Sequence, residues 1–267
     1  MTAPRRTAAA QPTIEDNKTY WDRRPCNVRH SPREIGTRQY YDQVEWRKYF
    51  VEPHIPRFAQ FERWCGRRVL EIGCGIGTDA VNFARAGADY TGLELSQTSL
   101  ALAQKRFEVF GLNGSFYLGN AEHLSEVMPS KGFDLIYSFG VIHHTPNPRL
   151  VIAGAHEVIH PDGELRIMLY AKNSWKAIMI EAGFDQPEAQ SDCPIATVYT
   201  REMIDDLLSD FFAIVSVEQA HIFPYVVDKY VRYEYELQPW IAAMPKKAFA
   251  ALERHLGWHY LIVAKPV

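Results

Sequence analysis

The residues best placed to do chemistry together lie in one stretch, Val-Leu-Glu-Ile-Gly-Cys-Gly-Ile-Gly-Thr-Asp-Ala, from Val69 to Ala80. It reads as a buried strand over 69–72, a turn carrying Gly73, Gly75 and Gly77, and the start of a helix that runs on to Ala86. Glycines two apart let the backbone bend sharply and approach a ligand, because no Cβ obstructs them and positive φ costs little. Their spacing narrows the choice of ligand. A dinucleotide loop of the form Gly-x-Gly-x-x-Gly needs its third glycine at position 78, which is Thr78. Glu71 sits in the strand end beside the turn, where a carboxylate repels a diphosphate and attracts an ammonium. The stretch therefore favours a zwitterionic, amino-acid-like ligand.

The elements that must position this loop follow from the alternation after Arg68 of strand and helix, which predicts a parallel sheet covered on both faces. Strands are expected over 69–72, 89–94, 115–118, 133–139, 163–170, 212–217 and 260–265. Ser96 is the expected N-cap of a helix reaching Phe110, with Gly111 as its stop. Asn147 followed by Pro148 is the expected cap and first turn of a helix ending near Ile159, and Thr200 caps another to Leu208. A short helix is expected over 175–182. This arrangement puts Glu94 at the tip of the strand neighbouring the loop, where a carboxylate can accept from two vicinal hydroxyls.

Composition bounds the function. Among 267 residues, 29 basic and 32 acidic side chains leave a slightly acidic chain with no basic stripe, which argues against a nucleic-acid partner. Four cysteines (Cys26, Cys65, Cys74, Cys193) lie far apart, with neither metal-ligand spacing nor a disulfide framework, and point to a reducing compartment. No apolar run approaches membrane-spanning length, and the first residues lack the apolar core of a signal peptide, so a cytoplasmic location is expected. Cys74 reads as a small residue filling the loop.

Several ordered segments then resemble one family. Glu71 to Gly77 is similar to the first motif of the class I S-adenosylmethionine-dependent methyltransferases. Gly92 to Ser96 resembles the end of their second strand, Gly119 to Leu124 their adenine-contacting segment, Phe133 to Asn147 the fourth strand and following loop, and Val158 to Tyr170 the turn into the fifth. The resemblance implies a Rossmann-like α/β fold, with a seven-stranded sheet of order 3-2-1-4-5-7-6, the last strand antiparallel and helices on both faces. It implies S-adenosylmethionine as cofactor, S-adenosylhomocysteine as product, and a small-molecule substrate, as in the ubiquinone-biosynthesis-like group of bacterial biosynthetic enzymes. The cofactor residues it implies are Glu71, Gly73, Cys74, Gly75, Gly77, Glu94, Leu95, Asn120, Ala121, Glu122 and Phe139. Position 120 departs from the family's usual Asp; an amide oxygen still accepts from an adenine amino group, without charge.

His143 and His144, after the fourth strand, have the pKa range of a general base, or hold their loop to a backbone carbonyl. No metal ligand set is read from the sequence. Residues 1–13 are expected as a mobile tail, 14–64 as an aromatic-rich helical segment acting as lid or outer brace, and 65–267 as the catalytic domain. Segments 171–199 and 218–258 are the variable, substrate-side parts. Tyr20, Trp21, Arg24, Tyr41, His221 and Tyr225 are the substrate-side candidates, and their aromatic character suggests an apolar or aromatic acceptor. The arginine run over 22–33 reads as a solvated face or an anion-binding rim. Whether the N-terminal segment covers its own site or that of a second copy stays open. Two other activities fit the same residues: a cofactor-binding protein that catalyses a non-methylating step such as ring closure, and a non-catalytic subunit needing a partner chain.

Overall fold

The structure, a computed structural model, describes residues 11–184, 186 and 192–267. The tail expected over 1–13 lies outside them except at its end, where Thr13 caps the first helix in a reciprocal box with Asp16. The N-terminal segment supplies α1 (Ile14–Arg23), α2 (Arg38–Val51) and α3 (His54–Ala59). Then follow β1 (Arg68–Ile72), α4 (Thr78–Arg85), β2 (Asp89–Glu94), α5 (Gln97–Phe110), β3 (Ser115–Leu118), α6 (Leu124–Val127), β4 (Phe133–Phe139), α7 (Pro148–Val158) and β5 (Ile159–Ala171). The C-terminal part adds α8 (Trp175–Glu181), β6 (Val198–Tyr199), α9 (Arg201–Leu208), β7 (Phe212–Ala220), α10 (Val227–Tyr230), α11 (Pro239–Ala242), α12 (Lys246–Leu256) and β8 (His259–Pro266).

The strands run β3-β2-β1-β4-β5-β8-β7 across one sheet, with β8 antiparallel to both neighbours. This is the expected order with one addition, the two-residue β6, which pairs with the end of β5 through Tyr170 and Ala171. So short a strand has no periodicity of its own, and only the overhang of β5 creates it. β5 also starts earlier than expected, because Ile159 pairs with Phe133 across a register irregularity.

Local chemistry sets the helix ends. Ser96 Oγ accepts from the Ser99 amide, and Gly111, at φ 65°, ends α5 in the left-handed region. Thr200 caps α9 in the same way. Asn147 departs from expectation: its side chain makes no cap, and its backbone amide donates instead to Glu122 Oε1 at 2.7 Å.

The two-residue period of the strands divides the core. Leu70 and Ile72 of β1 and Ile136 of β4 pack with α7 and α9 through Val151, Ile152, Ala155 and Ile204. Val69, Leu135 and Tyr137 face the opposite way, onto Phe58, Trp64, Val81 and Phe83. Glu71 shares the parity of Val69 and so enters the aromatic side of the sheet, which determines its surroundings.

Candidate functional site

A cleft with about 1270 Å³ of empty space, its mouth included, opens at the carboxyl ends of β1, β2 and β4. That is where an open parallel sheet leaves room for a ligand. Gly73, Gly75 and Gly77 all have positive φ, at 75°, 54° and 77°. A Cβ on Gly73 would stand 2.3 Å from Val141 Cγ2, so close packing requires glycine there, whereas a Cβ on Gly75 would meet nothing within 4 Å. Gly75 thus turns a bare backbone edge toward open space. The loop is pinned from below, where the amides of Gly73 and Cys74 donate to the Leu93 carbonyl.

Glu94 lies across from this edge. Its Oε2 accepts from the Gly75 amide at 2.8 Å and its Oε1 from the Ser96 amide at 2.9 Å. Burial raises its pKa, and the amides of Ser96 and Gly75 work against that shift. A carboxylate oxygen has a second lone pair, so each can still accept from a ligand.

Glu71 Oε2 accepts from Tyr90 Oη at 2.6 Å. Burial first, and the nearby Asp79 carboxylate second, push its carboxyl up to about 8, against the Tyr90 hydrogen bond and the charge of Lys48. Asp79 accepts at Oδ1 from Lys48 Nζ and Tyr49 Oη, each at 2.9 Å, and at Oδ2 from Tyr137 Oη at 3.0 Å. This buried network brings Glu71, Asp79 and Lys48 together in the lining of the cleft. One of its members, Lys48, comes from α2, outside the stretch that singled out Glu71.

Asn120 and Ala121 line the cleft beyond Leu95. Asn120 Oδ1 accepts from the Glu122 amide at 3.0 Å, which shapes the turn. The Glu122 carboxylate is engaged by Asn147, away from the cleft lining. Phe139 lines the cleft with Met168 and Tyr170, while Gly77 packs against Ala103 as a helix start.

The two histidines have different places. His143 is fully buried behind the cleft wall, its ring 3.8 Å from that of Tyr170, and burial keeps its pKa well below the usual imidazole range. His144 lines the cleft, with Nδ1 2.6 Å from the Ile195 carbonyl. That contact requires the proton on Nδ1 and puts the lone pair on Nε2.

The first helix covers this end. Ile14, Asn17 and Trp21 line the cleft, the Asn17 side-chain amide donates to the His144 carbonyl, and Trp21 meets the His144 ring edge-on at 5.3 Å. The other substrate-side candidates lie outside the lining. Tyr20 and Arg24 bond to Asp192 on the surface. Tyr41 is buried with its hydroxyl on the Leu102 carbonyl. His221 stacks behind His259, and Tyr225 joins an aromatic cluster with Phe50, Phe223 and Tyr235. Most aromatics of the 218–258 segment named in the sequence thus pack on one another and on α2, where Arg47 lies over the Tyr230 ring.

Residues without a sequence signal complete the cleft: Asn17, Lys48, Glu52 and His259. Their contacts join segments distant in the chain, and no local spacing announces them.

A family model described as a methyltransferase domain matches residues 69–163, the span from the glycine loop to the turn inside β5. Over that stretch the chain resembles a methyltransferase domain. Among curated relatives, this domain is similar to the ubiquinone biosynthesis O-methyltransferases of Photobacterium profundum, at 29% identity over 45% of this chain and 51% of that one. That of Pseudomonas syringae pv. tomato is 33% identical over 38% of this chain and 43% of that one. The chain therefore spans about half the length of the curated relatives it matches. The fold is shared with solved structures over nearly the whole chain. A magnesium protoporphyrin IX methyltransferase from Synechocystis, solved with bound S-adenosylhomocysteine, superimposes with TM-score 0.60 at 16% identity over 95% of this chain and 97% of that one. The cyclase SpnF superimposes with TM-score 0.61 at 18% identity, over 97% and 98%.

Proposed function

We propose that this chain binds S-adenosylmethionine in the cleft and transfers its methyl group to a small, apolar or aromatic acceptor. Glu94 carries the reading: a buried carboxylate, fixed by two amides, faces the bare edge of Gly75, where vicinal hydroxyls of a ribose would be accepted. The remaining residues fit the cofactor. Gly75 leaves the space a Cβ would fill, Asn120 and Ala121 border a slot for the base, and the Glu71 carboxyl and the Asp79 carboxylate paired with Lys48 offer acceptor oxygens for an ammonium.

When bound, the cofactor supplies a methyl group on a cationic sulfur, already activated for displacement. The protein's task is then alignment and exclusion of water. Phe139, Met168 and Tyr170 form the apolar wall for the acceptor, and α1 covers the opening through Asn17 and Trp21. His144 holds its proton on Nδ1 against the Ile195 carbonyl, and its Nε2 is buried in the cleft wall rather than open to the acceptor. The names of the curated relatives support oxygen as the methylated atom.

The test is a screen of small phenols and hydroxylated apolar compounds with the purified chain, read by mass spectrometry. Methyl transfer adds one methyl to the acceptor and releases an equal amount of S-adenosylhomocysteine. A product of unchanged mass with no S-adenosylhomocysteine would replace transfer by ring closure or rearrangement.

A further inference from the structure

At the inner end of the cleft, three buried side chains from distant parts of the chain converge. Glu52 ends α2, His54 opens α3 and His259 opens β8. His54 Nε2 stands 3.0 Å from His259 Nδ1, Glu52 Oε1 stands 3.7 Å from the same nitrogen, and all three donor atoms lie within 4.8 Å of one another. The methyl-transfer reading uses none of them. We propose that Glu52, His54 and His259 bind a divalent transition-metal ion.

The donor geometry supports this. At a metal–nitrogen distance of about 2.1 Å, two imidazole nitrogens at a right angle stand about 3.0 Å apart, as His54 and His259 do. Glu52 Oε1 sits at the wider separation of an obtuse angle, close enough to bind directly or through one water. Two imidazoles and one carboxylate suit iron(II), cobalt(II), nickel(II) or zinc(II) rather than magnesium or calcium, which prefer oxygen.

The electrostatics agree. Both imidazoles are buried, and a neutral imidazole offers a metal its lone pair. The cationic groups facing the pair are Lys48, Arg57 and Lys176, with His221 stacked 4.8 Å from His259 and 5.4 Å from His54. Lys48 is neutralised at 2.9 Å by Asp79. Arg57 pairs with Glu218 on the surface at 3.1 Å. Glu52 supplies the anionic ligand. Glu52 and His259 line the cleft beside Phe139 and Tyr170, so the ion's other positions would face the acceptor space, where a hydroxyl or carboxylate could bind.

The test needs neither cofactor nor acceptor and is independent of methyl transfer. Tag-free protein, stripped with a chelator, is titrated with cobalt(II) and followed by visible absorption, then with zinc(II) in competition. One cobalt per chain is expected, displaced by zinc. His54→Gln and His259→Gln should each weaken binding by about a hundredfold or more, and Glu52→Gln by about tenfold. If a variant fails to fold, wild-type crystals soaked in cobalt(II) should show an anomalous peak between the three side chains. Binding weaker than millimolar, retention of affinity in both histidine variants, or an anomalous peak elsewhere overturns the proposal. The two imidazoles would then be a hydrogen-bonded pair of the core.

Discussion

Asp22 Oδ1, on the first helix, accepts from Ser96 Oγ at 2.8 Å and from the Thr98 amide at 3.2 Å, so α1 is tied to the start of α5 two residues from the Glu94 carboxylate. The helix that covers the cleft is fastened to the element that follows Glu94.

Asp22→Ala removes that tie and leaves the contact of Asn17 with the His144 carbonyl in place. Loss of a charge-assisted pair on a half-exposed helix costs about 1 to 2 kcal/mol. That corresponds to a roughly tenfold faster dissociation of S-adenosylhomocysteine with little change in melting temperature. Stopped-flow release measures it, and an unchanged rate would show that α1 does not close the cleft.

Glu71 gives stability a pH dependence. Its carboxyl is pushed from an ordinary 4.5 to about 8 in the folded protein, so its favourable contribution is complete below the lower value and lost as pH rises through the higher. Glu71→Gln stays neutral and still accepts from Tyr90. Its stability relative to wild type should therefore grow between about pH 5 and pH 8, by an amount on the order of a few kcal/mol. Glu94, shifted in the same direction, leaves a residual slope in both proteins. Urea unfolding across this range checks it, and parallel curves for the two proteins would be the contrary result.

Two glycines of the loop should respond differently to alanine. Gly73→Ala drives a Cβ to 2.3 Å from Val141 at φ 75°, adding an overpacking cost of about 1 to 3 kcal/mol to a backbone cost of about 1 to 2 kcal/mol. Val141→Ala in that background should recover the overpacking part alone. Gly75→Ala meets no neighbour within 4 Å and should cost only the backbone part, but its methyl enters the cleft and should weaken cofactor binding. Chemical denaturation and ligand titration separate the two effects. Equal stability losses would contradict this packing.

What the sequence made legible follows from how local each signal is. The strands themselves and the placing of Glu94 at the strand tip beside the glycine loop came from that loop, a cap and hydrophobic periodicity, all confined to short windows, while the strand order was implied by the family resemblance. Lys48, Glu52 and His54 carried no such signal, because their roles depend on α2 and α3 folding back over the sheet. His54 meets His259 from 205 positions away. The aromatics misled for the opposite reason. A tyrosine serves packing as well as binding, and Tyr41 and Tyr225 went into packing. The adjacent histidines illustrate a third limit: a 3-10 turn over Ile142–His144 turns one ring into the core and the other to the cleft.

The most direct measurement is calorimetric titration of the purified chain with S-adenosylmethionine and S-adenosylhomocysteine, alongside Glu94→Ala. Both ligands should bind wild type with micromolar or tighter affinity. The variant should lose about a hundredfold or more, equivalent to about 2.7 kcal/mol, while keeping its cooperative unfolding. Absence of binding to the wild type, or equal affinity in the variant, would contradict the assignment of this cleft to the cofactor.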